Sequence, residues 1–105
     1  MADIPTYAEQ VAFMRALADD LPPDMRDMVL ARFEMGREQY GDAWFTRDNL
    51  AEGYPEIADT WNYIAYAIMT EQVTAAESQR TRNAVAVAWL FLESLREKAG
   101  VPNGD

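Results

Sequence analysis

The sequence predicts an all-α protein, a small antiparallel bundle of about four helices in a single domain spanning residues 1–105. Three observations predict it. Apolar residues recur at spacings of three and four, which marks one face of a helix. No segment alternates apolar and polar residues over a useful length, as a half-buried strand would. Prolines, glycines and capping residues divide the chain into four segments of helical length.

The first two helices are predicted near residues 7–21 and 24–40. Thr6 can cap the first helix, because an acid three residues later completes a capping box. Pro22-Pro23 ends that helix and begins the next, since proline is tolerated in the first turn of a helix but not in its interior. The two apolar stripes consist of Val11, Met14, Leu17 and Leu21, and of Met25, Val29, Phe33 and Tyr40.

A loop is predicted over residues 41–54, followed by helices near 55–76 and 79–99. Gly41 suits the C-terminal cap of the second helix, and Pro55 suits the first turn of the third. The apolar stripes of the last two helices predict which side chains are largely buried. We expect these to be Trp61, Ile64, Ile68, Val85, Trp89 and Leu92.

Apolar residues on the last two helices exceed what one stripe of a lone bundle buries. The extra positions are Ile57, Tyr66, Val87 and Phe91. A chain of this length buries only about 60–65% of its extended-chain surface. We therefore expect self-association, as a homodimer or homotetramer, to complete the bundle. The two ends, residues 1–5 and 101–105, are expected to be flexible.

The composition excludes several classes of chemistry. The chain has no Cys and no His, so disulfides, thiolate nucleophiles, Cys-based zinc sites and imidazole acid–base catalysis are ruled out. Carboxylate chemistry remains, and carboxylates prefer hard cations such as Mg²⁺ or Mn²⁺. Nine basic residues against 18 acidic ones leave a net charge of −9, which opposes direct binding to nucleic acid or to an anionic membrane.

Two features of the sequence bear on its cellular location. No run reaches the roughly 18 apolar residues of a membrane span. The opening Met1-Ala2-Asp3 lacks the basic region of a secretory signal. We therefore expect a cytoplasmic protein.

Two acidic pairs lie on predicted helices with both members on one side of the helix. Glu34 and Glu38 are four residues apart, and Glu56 and Asp59 are three apart. If the two helices pack antiparallel, both pairs could face one groove, where a divalent cation would neutralise their mutual repulsion. Such pairs also occur on solvated faces, and the helix macrodipole alone favours acids in a first turn. The acidic pairs can therefore be interpreted either as a metal site or as part of a solvated face.

The acidic pairs belong to a longer pattern. It consists of Glu34-Met35-Gly36-Arg37-Glu38-Gln39-Tyr40-Gly41-Asp42-Ala43-Trp44, Arg47-Asp48-Asn49-Leu50 and Glu56-Ile57-Ala58-Asp59-Thr60-Trp61-Asn62-Tyr63. This pattern resembles the phage and bacterial MazG-like nucleotide pyrophosphohydrolases, which have Glu-x-x-Glu on one helix and Glu-x-x-Asp on the next. The second motif matches as it stands, whereas the first pair is one residue further apart. Pro55 occupies a position where relatives often have another acid, for which Glu52 could substitute.

The resemblance implies an all-α enzyme that cleaves a (d)NTP to a (d)NMP and pyrophosphate with Mg²⁺ or Mn²⁺. The implied metal ligands are Glu34, Glu38, Glu56 and Asp59. Glu38 is also the implied catalytic residue, which orients or deprotonates the attacking water. The implied substrate-binding residues are Arg37 and Arg47 for the phosphates, and Trp44 and Asn62 for the nucleoside.

Other interpretations of these residues stay open. Trp44, like the other tryptophans, can equally anchor a core. Arg37 can pair with Glu34 or Glu38 on a solvated face. An acidic helical chain can also be a non-enzymatic interaction protein, either a mimic of DNA phosphates or a degenerate MazG-like scaffold. Catalysis predicts acids concentrated in a groove, whereas mimicry predicts acids spread along an exposed face.

Overall fold

The predicted all-α fold with four helices is confirmed. The computed structural model describes residues 3–100, which form four α-helices, one 3₁₀ helix and no strand. The α-helices are α1 (Tyr7–Leu17), α2 (Pro23–Tyr40), α3 (Gly53–Met69) and α4 (Ala75–Lys98), and the 3₁₀ helix is Gly41–Thr46. Of the ends predicted to be flexible, residues 1, 2 and 101–105 lie outside the described residues.

Contacts between residues group the chain into two compact units. The first unit ends at Arg47 and contains α1, α2 and the 3₁₀ helix. The second begins at Asp48 and contains α3 and α4, which pack against each other. The single domain expected from the sequence stays a prediction. Within residues 3–100, no helix has the length and apolar character needed to cross a membrane.

The start of α1 is as predicted, but its end comes four residues before the predicted one. The Thr6 hydroxyl accepts a hydrogen bond from the Glu9 N–H, and the Glu9 carboxylate accepts one from the Thr6 N–H. At the other end, Asp19 and Asp20 would place negative charge at the negative pole of a longer helix. Pro22 also disfavours helical backbone in the residue before it. Both effects favour ending α1 before these residues.

The segment predicted as a loop over residues 41–54 contains more regular structure than expected. It holds the 3₁₀ helix and the first two residues of α3. Gly41 ends α2 as predicted, with a φ of 58° that glycine adopts without steric cost.

The break between α3 and α4 also comes earlier than predicted, at residues 70–74 instead of 77–78. The Thr70 hydroxyl donates to the Tyr66 carbonyl at 2.8 Å, and Glu71 follows with a left-handed φ of 62°. Thr74 and Glu77 then form a capping box that starts α4. This Thr-x-x-Glu spacing is a sequence signal that the prediction missed.

Asp48 and Arg96 connect the segment before α3 to the end of α4. Arg96 Nη2 donates to Asp48 Oδ2 at 2.9 Å, and Asp48 Oδ1 accepts from the Ala51 N–H at 3.1 Å. Arg96 is only 7% exposed, and its Nε is buried without a hydrogen-bond partner among the described residues. Asp48 therefore compensates a charge that would otherwise be buried alone.

We expect the protein to lose stability as the pH falls below about 4. Hydrogen bonds from the Ala51 N–H and from the Arg96 guanidinium hold the pKa of Asp48 below its ordinary value. A carboxyl with a lowered folded pKa contributes full stability above its unfolded pKa and loses it as the pH falls through the folded one. Urea titrations from pH 7 to pH 3 measure this loss.

An Asp48→Asn variant should unfold at lower urea at pH 7 and show a flatter pH profile than the wild type. Asp27→Asn should keep the wild-type profile, because the ion pair of Asp27 with Arg26, at 3.6 Å, is exposed and an exposed pair contributes little to stability. Equal profiles for the two variants would contradict the role assigned to Asp48.

The predicted core of the last two helices is wrong for the single chain. Trp61 and Trp89 are 40% and 38% exposed. The others expected to be buried are only half-buried, namely Ile64, Ile68, Val85 and Leu92. Within residues 3–100, Ala18 is the only buried apolar residue. The physical reason is that each apolar stripe on α3 and α4 is wider than the area that the other helix covers. The part of the stripe outside that area stays exposed.

An apolar surface runs along α4 from residue 84 to residue 95. We call it the α4 stripe; it consists of Ala84, Val87, Ala88, Phe91 and Leu95. All five are exposed, Phe91 by 68%, and their spacings of three and four place them on one side of the helix. Contiguous exposed apolar surface usually marks an interaction site.

Candidate functional site

Glu34 and Glu38 line a shallow depression in the first unit. The depression has a volume of about 420 Å³ and is also lined by Tyr7 and Arg37. Because residues four apart on a helix point within about 40° of each other, α2 directs both carboxylates to the same side. Both residues are exposed, so a cation in solvent can reach them.

Tyr7, in the first turn of α1, is bonded to one of these carboxylates. Its hydroxyl lies 2.9 Å from Glu34 Oε1 and 2.8 Å from Oε2. The hydrogen bond that Glu34 accepts is the largest of the effects that raise the pKa of Tyr7. The bond fixes one member of the acidic pair on α2 to the start of α1.

Arg37 is held by three contacts within the first unit. Its Nη1 donates to Asp42 Oδ1 at 3.1 Å and to Gln10 Oε1 at 3.4 Å. Its guanidinium lies 4.7 Å from the centre of the Tyr7 ring. Its ion-pair partner is thus Asp42. The alternative prediction that Arg37 pairs with Glu34 or Glu38 on a solvated face is wrong. The positive charge of Arg37 is fixed at the rim of the acidic depression.

Trp44 and Arg47 form a cation–aromatic stack at the end of α2. The Arg47 guanidinium lies 4.7 Å from the Trp44 ring centre and 5.2 Å from that of Tyr40. The Trp44 indole also packs on Gly36, where an added Cβ would lie 3.4 Å from Trp44 Nε1. Trp44 is half-buried, so packing accounts for much of its surface. Substrate contacts by Trp44 and Arg47 stay predictions.

The second acidic pair and Asn62 lie on α3 in the second unit. Glu56 and Asp59 are exposed in the first two turns of the helix. Asn62 follows three residues later and lines a groove of about 300 Å³ together with Trp61 and Trp89. The order Glu56, Asp59, Asn62 therefore gives α3 a polar strip bordering an aromatic groove.

The donor set of the two acidic pairs fits a hard divalent cation. Carboxylate oxygens are the ligands that Mg²⁺ and Mn²⁺ prefer, and the chain contains no imidazole or thiolate to compete. In the described part of the chain, no Arg or Lys forms an ion pair with any of the four acids. Among residues 3–100, no three acidic side chains are close enough to share an ion. The site of four carboxylates stays a prediction.

Three residues that hold Glu34 or Arg37 at the depression were not predicted from the sequence, namely Tyr7, Gln10 and Asp42. Tyr7 meets Glu34 across 27 positions, and Gln10 meets Arg37 across the same separation, so no local pattern indicates either contact. Asp42 follows Arg37 by five residues, which is outside the spacing of helical side-chain pairs. The turn at Gly41 brings them together.

No protein-family model, curated protein or solved structure matches the chain. The function is therefore inferred from the chain's own side chains and from the sequence pattern that they form.

Proposed function

We propose that the chain is a metal-dependent nucleotide pyrophosphohydrolase of the MazG-like kind, which cleaves a (d)NTP to a (d)NMP and pyrophosphate. The observation that carries the proposal is the exposed pair Glu34 and Glu38 beside the fixed guanidinium of Arg37. The two carboxylates can bind a metal ion, and the guanidinium of Arg37 beside them can bind phosphate. A nucleoside triphosphate with a bound divalent cation presents both groups. The exposed Glu56 and Asp59 on α3 supply the second pair that the MazG-like pattern requires.

The proposed ligands of Mg²⁺ or Mn²⁺ are Glu34, Glu38, Glu56 and Asp59, and the proposal requires both pairs to meet around the same metal centre. When bound, the cation would offset the negative charge of the triphosphate and make a nearby water more acidic. A chain with a net charge of −9 would otherwise repel such a polyanion.

The remaining roles follow from the side chains at the depression. Glu38 is exposed and is proposed to orient the attacking water and accept its proton. Arg37 is proposed to contact phosphate. Because Asp42 and the Tyr7 ring already hold its guanidinium, the side chain loses little conformational freedom when the substrate binds. Arg47 is proposed as a second phosphate contact. Trp44 and Asn62 are the proposed nucleoside contacts.

We further propose that the chain acts in the cytoplasm as a homodimer or homotetramer, which forms through the α4 stripe. Five exposed apolar residues on one side of a helix are an unfavourable surface in water. A second copy of the same stripe would cover them by isologous packing.

The second candidate function is a non-enzymatic interaction protein, as a DNA mimic or a degenerate MazG-like scaffold. The exposed apolar surface of α3 and α4 supports the scaffold version, because a scaffold needs a surface on which a partner can pack. A scaffold would keep the association and show no hydrolysis.

A product assay separates the two candidates. A panel of (d)NTPs incubated with Mg²⁺ or Mn²⁺ should yield (d)NMP and pyrophosphate in equal amounts, and EDTA should stop the reaction. Mn²⁺ at millimolar concentration should also raise the melting temperature, because a ligand that binds only the folded state stabilises it. Neither pyrophosphate nor a melting shift is expected of an interaction protein.

A further inference from the structure

The carboxylate of Glu34 is held in one orientation by Tyr7. The two distances from the tyrosine hydroxyl, 2.9 and 2.8 Å, are nearly equal, so the hydroxyl lies between both carboxylate oxygens. The last torsion of a glutamate has a broad energy profile, and a carboxylate on an exposed helix face is otherwise free to rotate. Tyr7 is 46% exposed and Glu34 is exposed, so the hydrogen bond restricts this rotation in the presence of solvent.

Tyr7 is itself fixed by its surroundings. The Arg37 guanidinium lies over its ring at 4.7 Å, and Arg37 is bonded in turn to Gln10 and Asp42. Gln10 is only 7% exposed, and its Nε2 donates to the Pro5 carbonyl at 2.8 Å. Contacts therefore run without a gap from the backbone before α1 to the Glu34 carboxylate.

We propose that Tyr7 is a positioning residue, whose hydroxyl holds Glu34 in the orientation that binds the divalent cation. This inference rests on the proposed function, since it needs Glu34 to be a metal ligand. A carboxylate has lone pairs enough to accept a hydroxyl and ligate an ion at the same time. Groups that hold metal ligands in this way typically contribute roughly 10- to 100-fold to metal affinity.

A purely structural role is the competing explanation, in which the bond only attaches α1 to α2. The two roles differ in what they predict for metal binding by the folded protein. A structural bond affects unfolding without metal and leaves the affinity for Mn²⁺ unchanged. A positioning bond changes the affinity for Mn²⁺.

The experiment compares Mn²⁺ binding by the wild type and a Tyr7→Phe variant, with free Mn²⁺ measured by electron paramagnetic resonance. The variant keeps the ring beneath Arg37 and loses only the hydroxyl. Its dissociation constant for Mn²⁺ should rise about 10- to 100-fold. Tyr40→Phe is the matched control, because it removes a hydroxyl from the same unit and keeps the ring on which Arg47 stacks.

A second comparison tests whether Tyr7 acts through Glu34. In a Glu34→Gln background the further change Tyr7→Phe should have no additional effect on Mn²⁺ binding, because the ligand it positions is gone. Equal Mn²⁺ affinity of the wild type and Tyr7→Phe would overturn the positioning role alone, as would loss of helical circular dichroism in that variant. A wild type that binds no Mn²⁺ at millimolar concentration would overturn the proposed function together with this inference.

Discussion

Glu56→Gln is expected to abolish pyrophosphate release and leave the helical fold intact. The side chains have the same size, and the change removes the negative charge with which the carboxylate attracts a divalent cation. Glu56 is exposed, and the hydrogen bond that its backbone carbonyl accepts from the Thr60 hydroxyl at 3.0 Å does not involve the side chain that is changed. Losing a group that supports a metal ligand costs up to roughly 100-fold in activity, and losing a direct ligand should cost more than that.

The test measures pyrophosphate release with Mg²⁺, far-UV circular dichroism and the melting temperature with and without Mn²⁺. Mn²⁺ should raise the melting temperature of the wild type and leave that of Glu56→Gln unchanged. Glu97→Gln is the matched control, because it removes one negative charge from an exposed site on α4. Full activity of Glu56→Gln, or an equal loss in Glu97→Gln, would contradict a ligand role for Glu56.

Phe91→Glu is expected to abolish the proposed self-association and leave the protein monomeric. Phe91 is 68% exposed in the single chain and lies within the α4 stripe. Burying a Phe side chain contributes about 2 kcal/mol, and a symmetric dimer buries two copies, so the dissociation constant should rise by roughly 1,000-fold. Sedimentation velocity at micromolar to high micromolar concentration measures this change.

Gln79→Glu is the matched control for the added charge. Position 79 lies on α4 on a different side from Phe91, and Arg82 Nη2 already donates to its side chain at 3.1 Å. We expect this variant to associate like the wild type. A wild type that sediments as a monomer at high micromolar concentration would rule out self-association through the stripe.

The predicted helices agree with the structure best where the signal is local. The Thr6 capping box and the glycine after α2 form as predicted, because each depends on a few adjacent residues. The break after α3 was placed too late because neither proline nor glycine marks it. Its determinants are a threonine hydroxyl that bonds the backbone and the left-handed Glu71, and neither interrupts the apolar spacing.

Burial could not be predicted from the same spacing. Periodicity shows which side of a helix is apolar, and it placed Trp61 and Trp89 on such sides. It does not show how wide an area the neighbouring helix covers, and this area leaves both tryptophans more than a third exposed. The number and positions of contacting helices decide burial.

For the candidate site, the sequence by itself determined that Glu34 and Glu38 share one side of a helix and that Glu56 and Asp59 share one side of another. The helical repeat makes this a local property. Only the tertiary structure decided that Tyr7 is bonded to Glu34 and that Arg37 pairs with Asp42. Contacts of this kind depend on where the side chains of α1 and α2 meet and on the turn at Gly41, and no spacing within one helix encodes them.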